Sequence, residues 1–129
     1  MNIPSKLKYT KNDEWIQVDG NTGMIGITDY AQSQLSDIVY VEVVVSAGET
    51  VNKGDACATL ESVKAAADVY APVSGKVIAV NEALPDTPEK VNSDPYGEAW
   101  MIKIEISEPS QLEELMDSAL YEKHLAEKE

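Results

Sequence analysis

From Ile38 to Val80 the chain alternates short β-branched runs with residues that interrupt them, and this punctuation constrains the fold more than any other feature. Ile38–Val45 is the longest strand candidate, being rich in Val, Ile and Tyr. Gly48, Gly54, Pro72 and Gly75 then cut the chain into the runs Ala56–Ser62, Ala65–Tyr70 and Lys76–Val80. Upstream, Glu14–Val18 and Met24–Ile27 read as two strands joined by the turn chemistry of Asp19–Gly23. Downstream, Pro85, Pro88 and Pro95 mark a long loop before the strand Ala99–Ile106. So many short strands at close spacing imply a mainly β sandwich or barrel-like sheet.

Helices are expected in two places. Thr28 can cap a short helix over Asp29–Leu35, its hydroxyl accepting from a free first-turn amide, and Asp29 suits the positive end. In the tail, Leu112, Leu115, Met116, Ala119, Leu120 and Leu125 fall at helical spacing. That predicts helices over Gln111–Met116 and Ser118–Lys128, with Ser110 and Glu113 forming a capping box and the apolar stripe packing on the sheet. A faint echo also runs through the chain. Val51-Asn52, Gly54, Asp55 and Ala56 precede one strand, and Val91-Asn92, Gly97, Glu98 and Ala99 precede another. Such an echo suggests two similar half-sheets related by a pseudo-dyad.

The length of 129 residues suits one domain, residues 1–129, with a core over about 15–106 and C-terminal helices over about 110–128. Phe is absent, so the core is expected to be aliphatic. Ten lysines, no arginine and 23 acids give a net charge of −13. This disfavours nucleic acid and anionic membranes, which need clustered cations, and favours a basic partner surface. A single cysteine, Cys57, excludes an internal disulfide and a thiolate zinc site, so no metal is expected. Cys57 reads as a small core residue and the single histidine, His124, as a solvated helix residue; together they give no support to a thiol nucleophile. Neither a membrane span nor a signal or transit pattern is present, which predicts a cytoplasmic protein.

The informative segment is Glu61-Ser62-Val63-Lys64-Ala65-Ala66-Ala67-Asp68, between two strand-like runs. This pattern puts Lys64 at a hairpin tip, with small neighbours that leave its amine unobstructed. A lysine so placed can enter another protein's active site. Pro72 and Gly75 follow on the returning strand, and the whole resembles the lipoyl and biotinyl carrier domains. A biotin carrier usually flanks its lysine with Met, whereas the flanks here are Val63 and Ala65. Lipoyl domains of the 2-oxo acid dehydrogenases typically place Asp directly before it, where Val63 stands here. Glu61–Ala65 instead is similar to the H-protein family of the glycine cleavage system. The likeness extends to Lys8-Tyr9, Glu14-Trp15, Gly26–Gln32, Asp37–Glu42, Val80–Leu84, Asn92, Pro95-Tyr96 and Trp100–Lys103, in family order. Ser36, where the family usually has Gly, and Val43–Val45 depart from the pattern.

The resemblance implies a lipoyl-domain-like barrel-sandwich hybrid of two small antiparallel sheets. It implies a carrier without catalytic residues of its own, bearing (R)-lipoate in amide linkage on Lys64, installed by a lipoate ligase or an octanoyltransferase. Such a carrier moves an aminomethyl group from the pyridoxal-phosphate glycine decarboxylase to the tetrahydrofolate-dependent aminomethyltransferase, and dihydrolipoyl dehydrogenase reoxidises the dithiol. Glu61, Ser62, Val63 and Ala65 are then candidates for recognition of the hairpin, with capping of the turn as the alternative for Glu61 and Ser62. Glu14 and Asp68 are candidates for a shelter that pairs with the cationic amine. The competing readings are a 2-oxo acid dehydrogenase lipoyl domain, an H-like protein that relays lipoyl groups, and a β domain with no cofactor.

Overall fold

The computed structural model describes residues 2–128. Two antiparallel sheets carry the fold. The larger contains β1 (Lys8–Tyr9), β2 (Glu14–Asp19), β3 (Thr22–Ile27), β5 (Thr50–Val51), β8 (Gly75–Val80) and β9 (Ile102–Ile106), in the order β1-β2-β3-β9-β8-β5. The smaller contains β4 (Ile38–Val43), β6 (Ala56–Ser62) and β7 (Ala66–Tyr70), in the order β4-β6-β7. Neither sheet closes on itself, and inward side chains of both meet in one aliphatic cluster that includes Ile16, Ile25, Val41, Leu60, Val69, Val77 and Ile104. The architecture is the mainly β barrel-sandwich hybrid expected from the sequence.

The helices are α1 (Asp29–Leu35), α2 (Lys90–Ser93) and α3 (Ser118–Lys128), with 3-10 turns at Leu84–Asp86 and Pro109–Glu114. Thr28 caps α1 as its sequence suggests, accepting a bond from the Ala31 amide at 3.2 Å. Several expectations require correction. The proline-rich segment 84–95 is not a plain loop, since it holds one 3-10 turn and α2. The last strand begins at Ile102 rather than Ala99. The first tail helix is a 3-10 turn that starts at Pro109, so Ser110 lies inside it and makes no capping box. Asp117 is the residue that caps α3, accepting from the Leu120 amide at 2.9 Å. The internal echo has no structural counterpart: Val51 lies in β5 and Val91 in α2, and the sheets have six and three strands.

The aliphatic core is accompanied by a second, aromatic cluster of Leu7, Tyr9, Trp15, Tyr30, Tyr121 and Leu125. Here the tail meets the edge of the larger sheet. Tyr9 and Met116 exchange two backbone hydrogen bonds, of 2.8 and 2.9 Å, and the Tyr9 and Tyr121 rings stack with centroids 4.5 Å apart. Tyr121 then shares a 2.7 Å hydrogen bond with Thr28 and donates to Asp13 at 2.9 Å. Gly75 is a strand residue rather than a turn residue. A Cβ there would stand 2.4 Å from the Glu105 carbonyl oxygen, so its role is close approach of β8 to β9.

Candidate functional site

The β6–β7 hairpin is set by its register, Glu61 opposite Ala66, Leu60 opposite Ala67 and Thr59 opposite Asp68. Strand β4 pairs with the other edge of β6, placing Tyr40 beside Glu61 and Ile38 beside Ser62. The turn between the strands is closed from within. The Ser62 amide donates to the Ala65 carbonyl at 2.8 Å, while the Ser62 hydroxyl accepts from the amides of Lys64 at 3.2 Å and Ala65 at 3.0 Å. That hydroxyl donates in turn to the Ala65 carbonyl at 3.1 Å. A further bond, from the Val63 amide to the Asp37 carbonyl at 3.1 Å, ties the tip to the residue before β4.

Lys64 therefore stands on a turn whose backbone is held at several points, while its own side chain is exposed. Among the described residues the ion pairs join Lys53 to Glu114 and Lys90 to Glu98, and neither engages Lys64. Its neighbours are small or apolar and face water: Ala65 and Ala66 are exposed and Val63 is 67 % exposed. An unpaired primary amine clear of bulky neighbours is the chemistry that acylation of a lysine requires, so the tip fits a lipoyl amide.

The second element of the site is a cleft of about 350 Å³ between the start of β2 and the tail, within the range of small-molecule sites. Its walls include Tyr9, Thr10, Glu14, Tyr70, Leu115 and Met116. Lys53 and Glu114, joined at 2.7 Å, also line it and tie the turn before β6 to the tail. Glu14 is only 2 % exposed, not a solvated surface acid. One carboxylate oxygen accepts from the Thr10 hydroxyl at 2.6 Å and the other from the Tyr70 amide at 3.0 Å. Burial pushes the Glu14 carboxyl above its ordinary range, the two hydrogen bonds oppose that shift, and the charge of Asp13 adds to it.

The sequence candidates thus separate. Glu61, Ser62, Val63, Lys64 and Ala65 meet at the hairpin tip, and Glu14 enters the cleft. Asp68 does neither: it is exposed on β7, opposite Thr59, and outside the cleft wall, because strand alternation turns it to the face opposite Val69. Cys57 is fully buried, as expected, and its thiol is pushed up to about 12 by burial and the nearby Glu14 charge, which suppresses the nucleophilic thiolate. His124 is not freely solvated: it is half-buried beside the Tyr121 ring, and its Nε2 has no hydrogen-bond partner among the described residues. Sequence reasoning missed Thr10, Lys53, Leu115 and Met116. They come from distant points in the chain and carry no local motif.

Comparison with known proteins agrees with this geometry. Residues 7–128 match the glycine cleavage H-protein family. The chain is 54 % identical over 125 residues to the glycine cleavage system H protein of Carboxydothermus hydrogenoformans, covering 97 % of this chain and 95 % of that one. It is 52 % identical over 127 residues to the glycine cleavage system H protein of Staphylococcus saprophyticus, covering 98 % and 100 %. A crystal structure of a glycine cleavage system H protein from Mycobacterium marinum superposes with a TM-score of 0.84 at 32 % identity, covering 96 % of this chain and 99 % of that one. No helix of the described residues is long and apolar enough to cross a membrane. With its lysine hairpin, its cleft and these relatives, the chain belongs to the glycine cleavage H-protein family.

Proposed function

We propose that residues 1–129 act as a single lipoyl carrier domain of the glycine cleavage system, with (R)-lipoate in amide linkage on Lys64. The observation that carries this reading is the exposed, unpaired Lys64 on a turn capped by Ser62, in a chain of this family. When attached, the dithiolane supplies the sulfur chemistry by which an aminomethyl group is accepted from one enzyme and given up to another. The protein's own part is presentation and protection. Ser62 holds the turn, the small neighbours leave the lysine accessible, and Glu61, Val63 and Ala65 form the surface that the lipoylating enzyme reads. Partners in this reading are glycine decarboxylase, the aminomethyltransferase, dihydrolipoyl dehydrogenase, and a lipoate ligase or octanoyltransferase.

Shelter falls to the cleft. Glu14 offers a carboxylate to a cationic amine, and the walls around it restrict water. Asp68, outside the wall, contributes negative charge at longer range.

The test is intact mass after expression with a lipoate ligase and lipoate. A lipoyl increment that maps to Lys64 and disappears in Lys64→Arg is expected; absence of any increment rejects the carrier reading. Glycine decarboxylase loads the modified protein, and a 2-oxo acid dehydrogenase component does not. For the shelter, Glu14→Gln shortens the lifetime of the loaded carrier more than Asp68→Asn does, read as the rate of ammonia release without aminomethyltransferase.

A further inference from the structure

The buried Glu14 carboxylate depends on a residue that no motif marks. Thr10 sits four positions before it, on the other side of a tight turn in which Asp13 holds a left-handed φ of +68°. One hydroxyl organises this turn: it accepts from the Asn12 amide at 3.2 Å and the Glu14 amide at 3.1 Å, and it donates to the Glu14 carboxylate at 2.6 Å. With both amides pointing at the Thr10 oxygen, its single proton is directed at Glu14. These three bonds come from the turn itself and involve no group outside Thr10–Glu14. Donation of that kind favours the ionised carboxylate over the neutral acid.

We infer that Thr10 is a positioning residue, which keeps Glu14 oriented and ionised inside the cleft so that the wall is ready for a primary ammonium group. The inference deepens the proposed carrier function and rests on it for the identity of the amine. The other charged and titratable groups around Glu14 do not supply this effect. Asp13 repels its charge, burial holds the Cys57 thiol on β6 in its neutral form, and burial likewise raises the Tyr9 phenol above its ordinary range. Lys53 at the cleft is already matched by Glu114, and Lys11 is exposed at the rim. Among the described residues, the Thr10 hydroxyl and the Tyr70 amide stand against burial, and the Thr10 bond is the shorter of the two.

The experiment uses the full, unmodified chain. Carbon-13 NMR titration of the Glu14 carboxyl is compared in the wild type, Thr10→Val and Thr10→Ser, with the ring signals of the Tyr9–Tyr121 stack reporting an intact fold. Thr10→Val is expected to raise the Glu14 midpoint by about one pH unit, and Thr10→Ser to restore it to within a few tenths. In the loaded carrier, the pH profile of amine loss should move to higher pH by the same amount in Thr10→Val. A Glu14 midpoint that stays at the wild-type value in Thr10→Val, or that Thr10→Ser fails to restore, overturns the assignment and leaves the carrier function untouched. A shifted midpoint with a loaded lifetime that Glu14→Gln does not change overturns the shelter, and with it the role of Thr10 in readying the wall for an ammonium group.

Discussion

Ser36 ends α1 in a conformation that side chains avoid, with φ +67° and ψ −151°. Its amide bonds to the Gln32 carbonyl, and its own carbonyl accepts from Asn92, so the backbone is fixed there by contacts that glycine would keep. Ser36→Gly should therefore raise stability by about 1 kcal/mol, the relief of strain exceeding the added freedom of the unfolded chain. A higher urea midpoint at unchanged slope would show it, and an equal or lower midpoint would refute it. Glu14 has the opposite character, being a group that the fold holds at a disadvantage. Its carboxyl titrates above the ordinary value of 4.5 because burial disfavours the charge. The folded state thus binds the proton more tightly than the unfolded state. Its contribution to stability is fullest below about 4.5 and declines as pH rises through the raised folded value. In Glu14→Gln that decline should vanish from urea midpoints measured over a pH series.

At the scale of elements, one side chain, that of Ser62, reinforces the backbone bonds that close the lysine hairpin. Ser62→Ala removes the hydroxyl that accepts the Lys64 and Ala65 amides, but leaves the β6–β7 ladder intact. The expected result is faster hydrogen exchange confined to the tip, a global loss of about 1 kcal/mol or less, and slower acylation of Lys64. Exchange that accelerates equally along β6 and β7 would assign Ser62 to the whole sheet instead. The strand pair Ala56–Ser62 and Ala66–Tyr70 was legible in sequence because Gly54 and Pro72 bound it on either side, and the Thr28 cap because its interactions are local. The hairpin was legible for the same reason. The cleft was not: it brings Thr10 and Glu14 against Tyr70 and Met116, across separations that local spacing does not encode. Ser110 misled because Pro109 can start a 3-10 turn as readily as precede a helix cap. The bulges between Ile38 and Tyr40 and between Val77 and Ala79 also break the alternation by which strand faces are read.

For the whole molecule, the charge of −13 would become one unit more negative under the proposed amide formation, which removes the Lys64 cation. A carrier that meets several enzymes in turn gains from fast, weakly held encounters, which a strongly charged surface provides. Loading by glycine decarboxylase should slow between low salt and about 0.15 M ionic strength, mainly through association, as the Debye length falls toward ~8 Å. A loading rate indifferent to salt would leave the charge as a solubility feature alone.

The pairing of Tyr9 with Met116 also sets an order of events during synthesis. A nascent chain that has emerged as far as Ile106 already contains β6, β7 and every strand of both sheets. The cleft still lacks Glu114, Leu115 and Met116, and Tyr9 still lacks its stacking partner Tyr121. If Lys64 bears the proposed arm, its hairpin is thus encoded ahead of the vessel, and translation arrested between Ile106 and Glu114 would yield a protein that accepts the arm but spills its cargo.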